Sequence, residues 1–470
     1  MNPTSLLSLG ASGMMAAQAQ LSTTGHNIAN AGVDGYSRQS VRAETASGLY
    51  SGSGYFGRGV EVRTVEREVN GFLTDQVAQT NSQASADKVR NQMLGQLESS
   101  IGTGENGLGY TATQLFNAFG DVAAEPADAS ARRVVLERAD DLASMFRSTA
   151  QSMASLQSGV SQDLKNSVAE VNNLTQRIAD LNGQVAATRG SPQKPNDLLD
   201  ARDQLIKELS SYVQVNRVEQ DDGSMNLFVG GSQSLVVGTN AYQFKASPDA
   251  SDTSLMRVSL DVAGVSRQLD SSTLVGGRMA GLLQFQDEDL AAAKTHLDTM
   301  AQGITTAMNN QQAAGWSLKV DASGQPVAGA ALFSIDSLGA LNMKVGAGMS
   351  TDDIAASAQG ASITSPRSNN ANALAMQQLG TTATVSGSTF TDYFSQVIAD
   401  VGVRVQTATS RADVSSSLAS DAQQQLGSVT GVNLDEEAAK LLHFQQSYQA
   451  AAKVLQVAQK VFDTLISLGS

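Results

Sequence analysis

The sequence predicts an elongated, mainly α protein of several domains, with an inserted β domain and with its N- and C-terminal helices paired as a coiled coil. Three observations predict it. Apolar residues recur every seven positions at both ends: Leu7, Met14, Leu21 and Ile28 near the start, and Leu434, Leu441, Tyr448, Leu455 and Phe462 near the end. Residues 129–188 carry a similar repeat over a stretch that, at ~1.5 Å per residue, makes a helix about 80–90 Å long, a rod rather than a compact-domain helix. Over about 212–280 the apolar period switches from the helical value to two, the mark of half-buried strands.

The elements follow in order. Residues 5–30 read as a helix interrupted at Gly25 and ended by the Gly32–Gly35 stretch. Residues 31–65, with short extended runs such as Val60-Glu61-Val62-Arg63, read as loop and hairpin, and 66–190 as mostly helix. Within 129–188, Val135, Leu142, Thr149 and Leu156 form one series and Leu164, Val171, Ile178 and Val185 another. The slip of phase between them predicts a drift or bend of the stripe. Gly190-Ser191-Pro192 ends that helix, and a short one follows over about 196–211 with Asn196 as N-cap. Val213, Val215, Leu227, Val229, Leu235, Val237, Val258, Leu260, Val262 and Val265 read as strands, broken at Asp221-Asp222-Gly223 and Gly230-Gly231. Helix returns over about 281–313. Residues 316–365 are Gly- and Ser-rich, and about 366–468 is helical again with a break near Ser428–Gly431. The division expected is a terminal assembly domain (1–60 with 425–470), a helical rod (61–211 with 281–315 and 366–424), the β insert (212–280) and a small Gly/Ser-rich insert (316–365).

A narrow apolar seam needs a partner helix. The Ala-rich seams at the two ends are therefore read as association surfaces, joining other copies of the chain or its neighbours, whereas the 129–188 stripe reads as bundle core. A net charge of −14 excludes a basic face for nucleic acid. The absence of cysteine excludes disulfides and thiolate metal sites. No run approaches the roughly 18 apolar residues of a membrane span, so no membrane insertion is expected. The first basic residue is Arg38, so the N-terminus has no charged region of a cleaved secretory signal.

Candidate chemistry is thin. Gly52-Ser53-Gly54-Tyr55-Phe56-Gly57 matches a dinucleotide-loop pattern but runs into a strand-like segment, which favours a turn. His26, His296 and His443 are isolated, without metal-ligand spacing. Asp287-Glu288-Asp289 and Asp435-Glu436-Glu437 read as helix starts, where acidic side chains complement the helix dipole. Asn433 to Glu436 has the spacing of a capping box. Asp321-Ala322-Ser323-Gly324 reads as a turn. No catalytic residue, metal or cofactor is expected.

The string Asn27-Ile28-Ala29-Asn30 through Gly35-Tyr36 resembles the signature of the flagellar rod–hook–filament axial proteins, with Val33 and Asp34 standing where Thr and Pro are common. Ser37-Arg38-Gln39, the segment from Asn196 to Leu205, and the segment from Ser428 to Ala438 are similar to the hook-associated protein 1 branch of that family. Phe444 to Ala450 and Phe462-Asp463-Thr464-Leu465 continue the likeness. Longer members carry a further outer domain, which 316–365 would represent in reduced form.

The resemblance implies a structural protein. It would form the first of two layers between hook and filament and act as a mechanical adaptor, with hook protein on one side and a second hook-associated junction protein on the other. Its terminal helices would pair in an inner coiled-coil tube, self-associating in a helical or ring layer and ordering on assembly. It also implies export through the flagellar type III channel to an extracellular position, with a chaperone on the C-terminal helix. Leu7, Met14, Leu21, Asn27, Ile28, Ala29, Asn30, Gly35, Tyr36, Leu434, Leu441, Tyr448, Leu455, Phe462 and Leu465 are the expected assembly residues. Another axial subunit (hook or second junction protein) is the alternative, and a secreted enzyme on a flagellar scaffold a remote one.

Overall fold

A computed structural model of the chain describes residues 3–50, 55–191, 193–360 and 367–469. Helix α1 (Pro3–Asn30) opens it. It runs without interruption through Gly25, contrary to the expected break. A mid-helix glycine costs about 1 kcal/mol, and packing along a partner helix outweighs that. Strands β1 (Gln39–Thr45) and β4 (Val60–Arg67) then pair antiparallel, with Gln39 opposite Arg67 and a bulge between Arg42 and Ala43. Between them β2 (Leu49–Tyr50) pairs with β3 (Tyr55–Phe56). Gly52-Ser53-Gly54 lies outside the described residues. Its flanks form a hairpin that leads into β4, so the glycine pattern lacks the helix N-terminus that a pyrophosphate needs.

Four helices follow: α2 (Gly71–Ile101), α3 (Leu108–Ala124), α4 (Ala129–Ala187) and α5 (Asn196–Tyr212). The Asn70 side chain caps α2 by accepting from Leu73 N, and Asp128 caps α4 by accepting from Ser130 N and Ala131 N. Asn196 does not cap α5. Pro195 occupies the cap position, and Asn196 is buried, its amide donating to Val65 O (2.9 Å).

Helix α4 is 59 residues long, and its buried stripe runs unbroken from Val135 to Val185. The phase slip read from the sequence is a pair of consecutive four-residue steps, Thr149 to Met153 to Gln157, after which the seven-residue spacing resumes at Leu164. Such a stutter carries the buried stripe through the slip of phase without a gap. Leu156 is half-buried and Gln157 takes the inward position.

The inserted strands form two small antiparallel sheets against α4. One is β5 (Val215–Glu219), β6 (Met225–Val229), β7 (Gln233–Val237) and β8 (Asn240–Ala241) in that order; the other has β10 (Met256–Val262) between β9 (Gln243–Pro248) and β11 (Val265–Leu269). Leu227, Val229, Leu235, Phe244, Val258 and Leu260 join the same buried cluster as Val171, Leu174 and Ile178 of α4.

The chain returns through α6 (Gly277–Gln284), a π-helical turn (Phe285–Leu290) and α7 (Ala291–Ala313). Asp287-Glu288-Asp289 therefore sits inside a continuous helix rather than at a helix start. The widened turn aims successive side chains at different neighbours. Gln286 is fully buried, accepting from Gln157 Nε2 (2.8 Å) and Met256 N (3.0 Å) and donating to Met256 O (3.1 Å). Asp287 pairs with Arg257 of β10 (2.9 Å), and Asp289 with Arg90 of α2 (2.8 Å) and Arg404 (3.1 Å). One turn thus ties α2, α4 and the β insert together.

Next come β12 (Gly315–Val320), β13 (Pro326–Ala328), β14 (Phe333–Ser334), β15 (Lys344–Val345) and β16 (Ser357–Ala358), in short sheets. Asp321 closes a turn by accepting from Ser323 N and Gln325 N. Arg132, buried near the start of α4, anchors this insert by donating to Pro126 O, Thr351 O and Ile354 O (2.7, 3.0 and 2.6 Å). Burial pushes its guanidinium down to about 10. Helices α8 (Ala371–Gln378), α9 (Phe390–Thr430) and α10 (Leu434–Gly469) complete the chain. Helix α9 returns along α2, where Thr409 Oγ1 meets Asn91 Oδ1 at 3.0 Å.

Candidate assembly interface

Helices α1 and α10 pack against each other along their lengths. Asn27 meets Glu437, Gly13 meets Ala451 and Gly10 meets Leu455, so the pair is antiparallel. A Cβ on Gly10 would stand 2.8 Å from Leu455 Cγ, and one on Gly13 would stand 3.6 Å from the Ala451 Cβ. Missing side chains here let the two backbones approach. The buried residues of α1 are Gly10, Ala16, Ala17, Thr24 and Asn27; those of α10 are Glu437 and Ala458, with Leu441, Phe444, Tyr448, Ala451 and Leu455 half-buried in alternate steps of three and four between them.

Of the expected interface residues, Asn27, Gly35 and Tyr36 form the polar base of the pair, and the rest fall into three groups. Leu441, Tyr448 and Leu455 lie on the seam, and Leu7, Met14, Leu21 and Ile28 flank it half-buried. Leu434, Phe462 and Leu465 are exposed, as is Ala29, and Asn30 turns back to His26 O (2.9 Å). The seam positions that sequence reasoning missed are Gly10, Gly13, Ala17, Thr24, Glu437, Phe444, Ala451 and Ala458. For the glycines and alanines the signal was present as small residues interleaved with the heptad series, which a search for large apolar side chains passes over.

The base of the pair is polar. Asn27, 1% exposed, donates from Nδ2 to Glu437 Oε2 (3.0 Å) and to Gln39 O (2.9 Å). Its Oδ1 accepts from Gln39 N (2.9 Å) and from the Tyr36 hydroxyl (2.7 Å). All four hydrogen-bonding sites of the amide are used. Glu437, also 1% exposed, takes a second contact from Lys440 (2.7 Å). Burial, then the carboxylates of Asp200, Asp197 and Glu437, push the Tyr36 phenol well above its ordinary range. Gly35 has φ +81, and a Cβ there would stand 2.8 Å from Gln204 Oε1, so this turn admits glycine for both backbone and space.

The three residues that follow Tyr36 each send a backbone amide to a different element. Ser37 N donates to Asp200 of α5 (3.1 Å), Arg38 N to Thr430 O at the end of α9 (2.8 Å), and Gln39 N to Asn27 of α1. Arg38 also pairs with Glu436 (3.2 Å), so Glu436 serves that ion pair while Asn433 Oδ1 accepts from Asp435 N and Glu436 N to start α10. Arg67 enters between Asp200 (2.8 Å) and Asp203 (2.7 Å). Burial opposes its charge, but those carboxylates hold its guanidinium above the ordinary value. Among the described residues no group of His, Cys, Asp and Glu could hold a metal ion, and no helix is long and apolar enough to cross a membrane.

Three family profiles match the chain. "Flagella basal body rod protein" matches residues 7–36, and "Flagellar basal body rod FlgEFG protein C-terminal" matches 423–468. Those two segments are α1 with its turn and the end of α9 with α10, the paired ends of the molecule. They set its class, the axial proteins of the bacterial flagellum. "Flagellar hook-associated protein FlgK helical domain" matches 94–333, more than half of the chain. The chain belongs to the flagellar hook-associated protein FlgK family.

Relatives agree over full length. The chain is 27% identical to flagellar hook-associated protein 1 of Salmonella typhimurium (strain LT2), over 99% of this chain and 100% of that protein. To the protein of the same name from Bacillus subtilis (strain 168) it is 27% identical, over 97% and 96%. The structure of the flagellar hook junction protein FlgK from Burkholderia pseudomallei superposes with a TM-score of 0.68 at 19% identity, covering 76% of this chain and 100% of that one. That likeness is one of fold: a mainly helical, multi-domain body.

Proposed function

We propose that this chain is a structural subunit of the hook–filament junction, a mechanical adaptor that seats on hook protein and receives a second hook-associated junction protein. The observation that carries the reading is the terminal pair. Its small-residue seam is filled within one chain, yet α10 still presents Leu442, Val454, Val457, Val461, Leu465 and Ile466 to solvent, and α1 presents Leu9 and Met15. Apolar residues in such a run mark an association surface. The partner on that surface is the terminal pair of neighbouring copies, and head-to-tail repetition then builds a helical or ring layer. Before assembly an export chaperone covers the same face of α10. The unfolded chain leaves through the flagellar type III channel and works outside the cell.

Val457→Asp combined with Leu465→Asp tests this. Both side chains are exposed, so the monomer is expected to keep wild-type helicity and melting while motility and incorporation at the hook tip are lost. Normal motility in the double variant would overturn the reading.

A further inference from the structure

We propose that α5 is a coupling strut that ties the setting of the terminal helix pair to the outer β strands. Residues 200 and 202 lie roughly 200° apart around a helix, so they face opposite ways. On one side, Asp200 accepts from Ser37 N (3.1 Å) and from Arg67 Nη1 (2.8 Å), Asp203 holds the same guanidinium (2.7 Å), and Asn196 donates to Val65 O (2.9 Å). These contacts grip the turn after α1 and the end of β4. On the other side Arg202, 1% exposed, donates to Gly223 O (2.6 Å) and to Asn182 Oδ1 (3.2 Å). Asn182, fully buried in α4, accepts from Met225 N (2.9 Å) and donates to Met225 O and Gly238 O (both 2.8 Å). Polar contacts therefore run from the terminal module to Asp200 on one face of α5, and from Arg202 on its other face through Asn182 to the start of β6 and the residue after β7, with the body of the helix as the link between the two faces.

The chemistry suits coupling. Apolar contacts tolerate sliding, but buried charge-assisted bonds are directional, and losing one partner leaves the other stranded. Arg202 already has a buried Nε with no partner, so it has little freedom to find substitutes if α5 turns. Rotation of α5 about its axis moves Asp200 and Arg202 together, and the tilt of the terminal pair is then felt at Gly223 and Met225. The proposal concerns contacts within one chain and does not depend on which layer the chain builds.

The test is hydrogen exchange on the full-length protein carrying Arg67→Met, Asp200→Asn or Arg67→Lys, with Arg42→Met as control. Arg42 pairs with Glu66 on the same hairpin but is exposed. In Arg67→Met and Asp200→Asn, exchange at Ser37 and Gln39 should accelerate about ten-fold or more, and the Met225 amide should accelerate with them. Arg67→Lys should restore part of both, and Arg42→Met should move neither. Acceleration at Ser37 and Gln39 with Met225 unchanged would overturn the proposal. So would uniform acceleration across α2 and α9 in Asp200→Asn, which would mark general loosening instead of coupling.

Discussion

Asn27 shows how one amide sets a register. An antiparallel pair of helices lined by Gly and Ala can slide by a heptad at little cost, because small side chains offer few distinct holes. A buried Asn meeting a buried Glu at one level removes that freedom, since any slip leaves both unpaired in a dry site. Tyr36 closes the same site from the turn side, and its phenol makes the register pH-sensitive at the alkaline end. Below about pH 10 the phenol is protonated in folded and unfolded chains alike, and its hydrogen bond to Asn27 contributes in full. Above that the unfolded chain ionises while the folded chain resists, so stability falls as pH rises toward the raised folded value. Urea unfolding followed at residues 1–40 should therefore show a loss of stability above about pH 10 that Tyr36→Phe reduces. An identical pH dependence in the two proteins would contradict this placement. Asn27, Gly35 and Tyr36 were legible by resemblance to a signature, but Glu437 was not. It reads as one of three acids at a helix start, and only the fold shows that its side chain turns into the seam.

At the scale of elements, the large heptad residues identified the helices but not the surface they share. The seam of α1 is Gly10, Gly13, Ala17 and Thr24, residues that a hydrophobic pattern weights least, and the large residues Leu7, Met14 and Leu21 sit on its shoulder. Helix α4 was legible to within a residue because its stripe is long and apolar. Its stutter was legible as a slip of phase, though the π turn that meets it through Gln157 was not, since such a turn has no signature in propensity. That turn is held by two glutamines of unequal weight. Gln157 contributes one hydrogen bond to Gln286 and leaves its own Oε1 buried without a partner, whereas Gln286 also satisfies both backbone groups of Met256. Gln286→Leu should cost about 2–3 kcal/mol in urea denaturation and Gln157→Leu less than about 1 kcal/mol. The reverse order would mean that the turn is held by α4 rather than by β10.

Across the whole molecule, helices enclose an inserted set of strands in chain order, and the strands of the insert rest directly on α4 and share its core. What sequence could not supply is how the ends are tied to the middle. Ser37, Arg38 and Gln39 each bond a different element through the backbone N–H, and a backbone donor leaves no trace in the identity of the residue that carries it. The same holds for Arg67, which the sequence reading places at the start of a helical stretch; it ends β4 and works as a plug between two carboxylates of α5. The sequence reading paired the two terminal helices with each other and also read their seams as surfaces for other copies of the chain. In the structure each end packs on the other end of the same chain, and an adjacent stripe of α10 stays exposed.

That pairing within one chain can be tested directly because the protein has no cysteine. The Cβ position of Gly13 lies 3.6 Å from that of Ala451, inside the roughly 3.5–4.5 Å window of a disulfide. Gly13→Cys with Ala451→Cys, oxidised at low protein concentration, should give an intramolecular bridge in most molecules: a monomer of faster mobility on a non-reducing gel, with the linked peptide pair found by mass spectrometry. Recovery of disulfide-linked dimers alone, or of two free thiols, would show that these positions do not meet within one chain and would contradict the account.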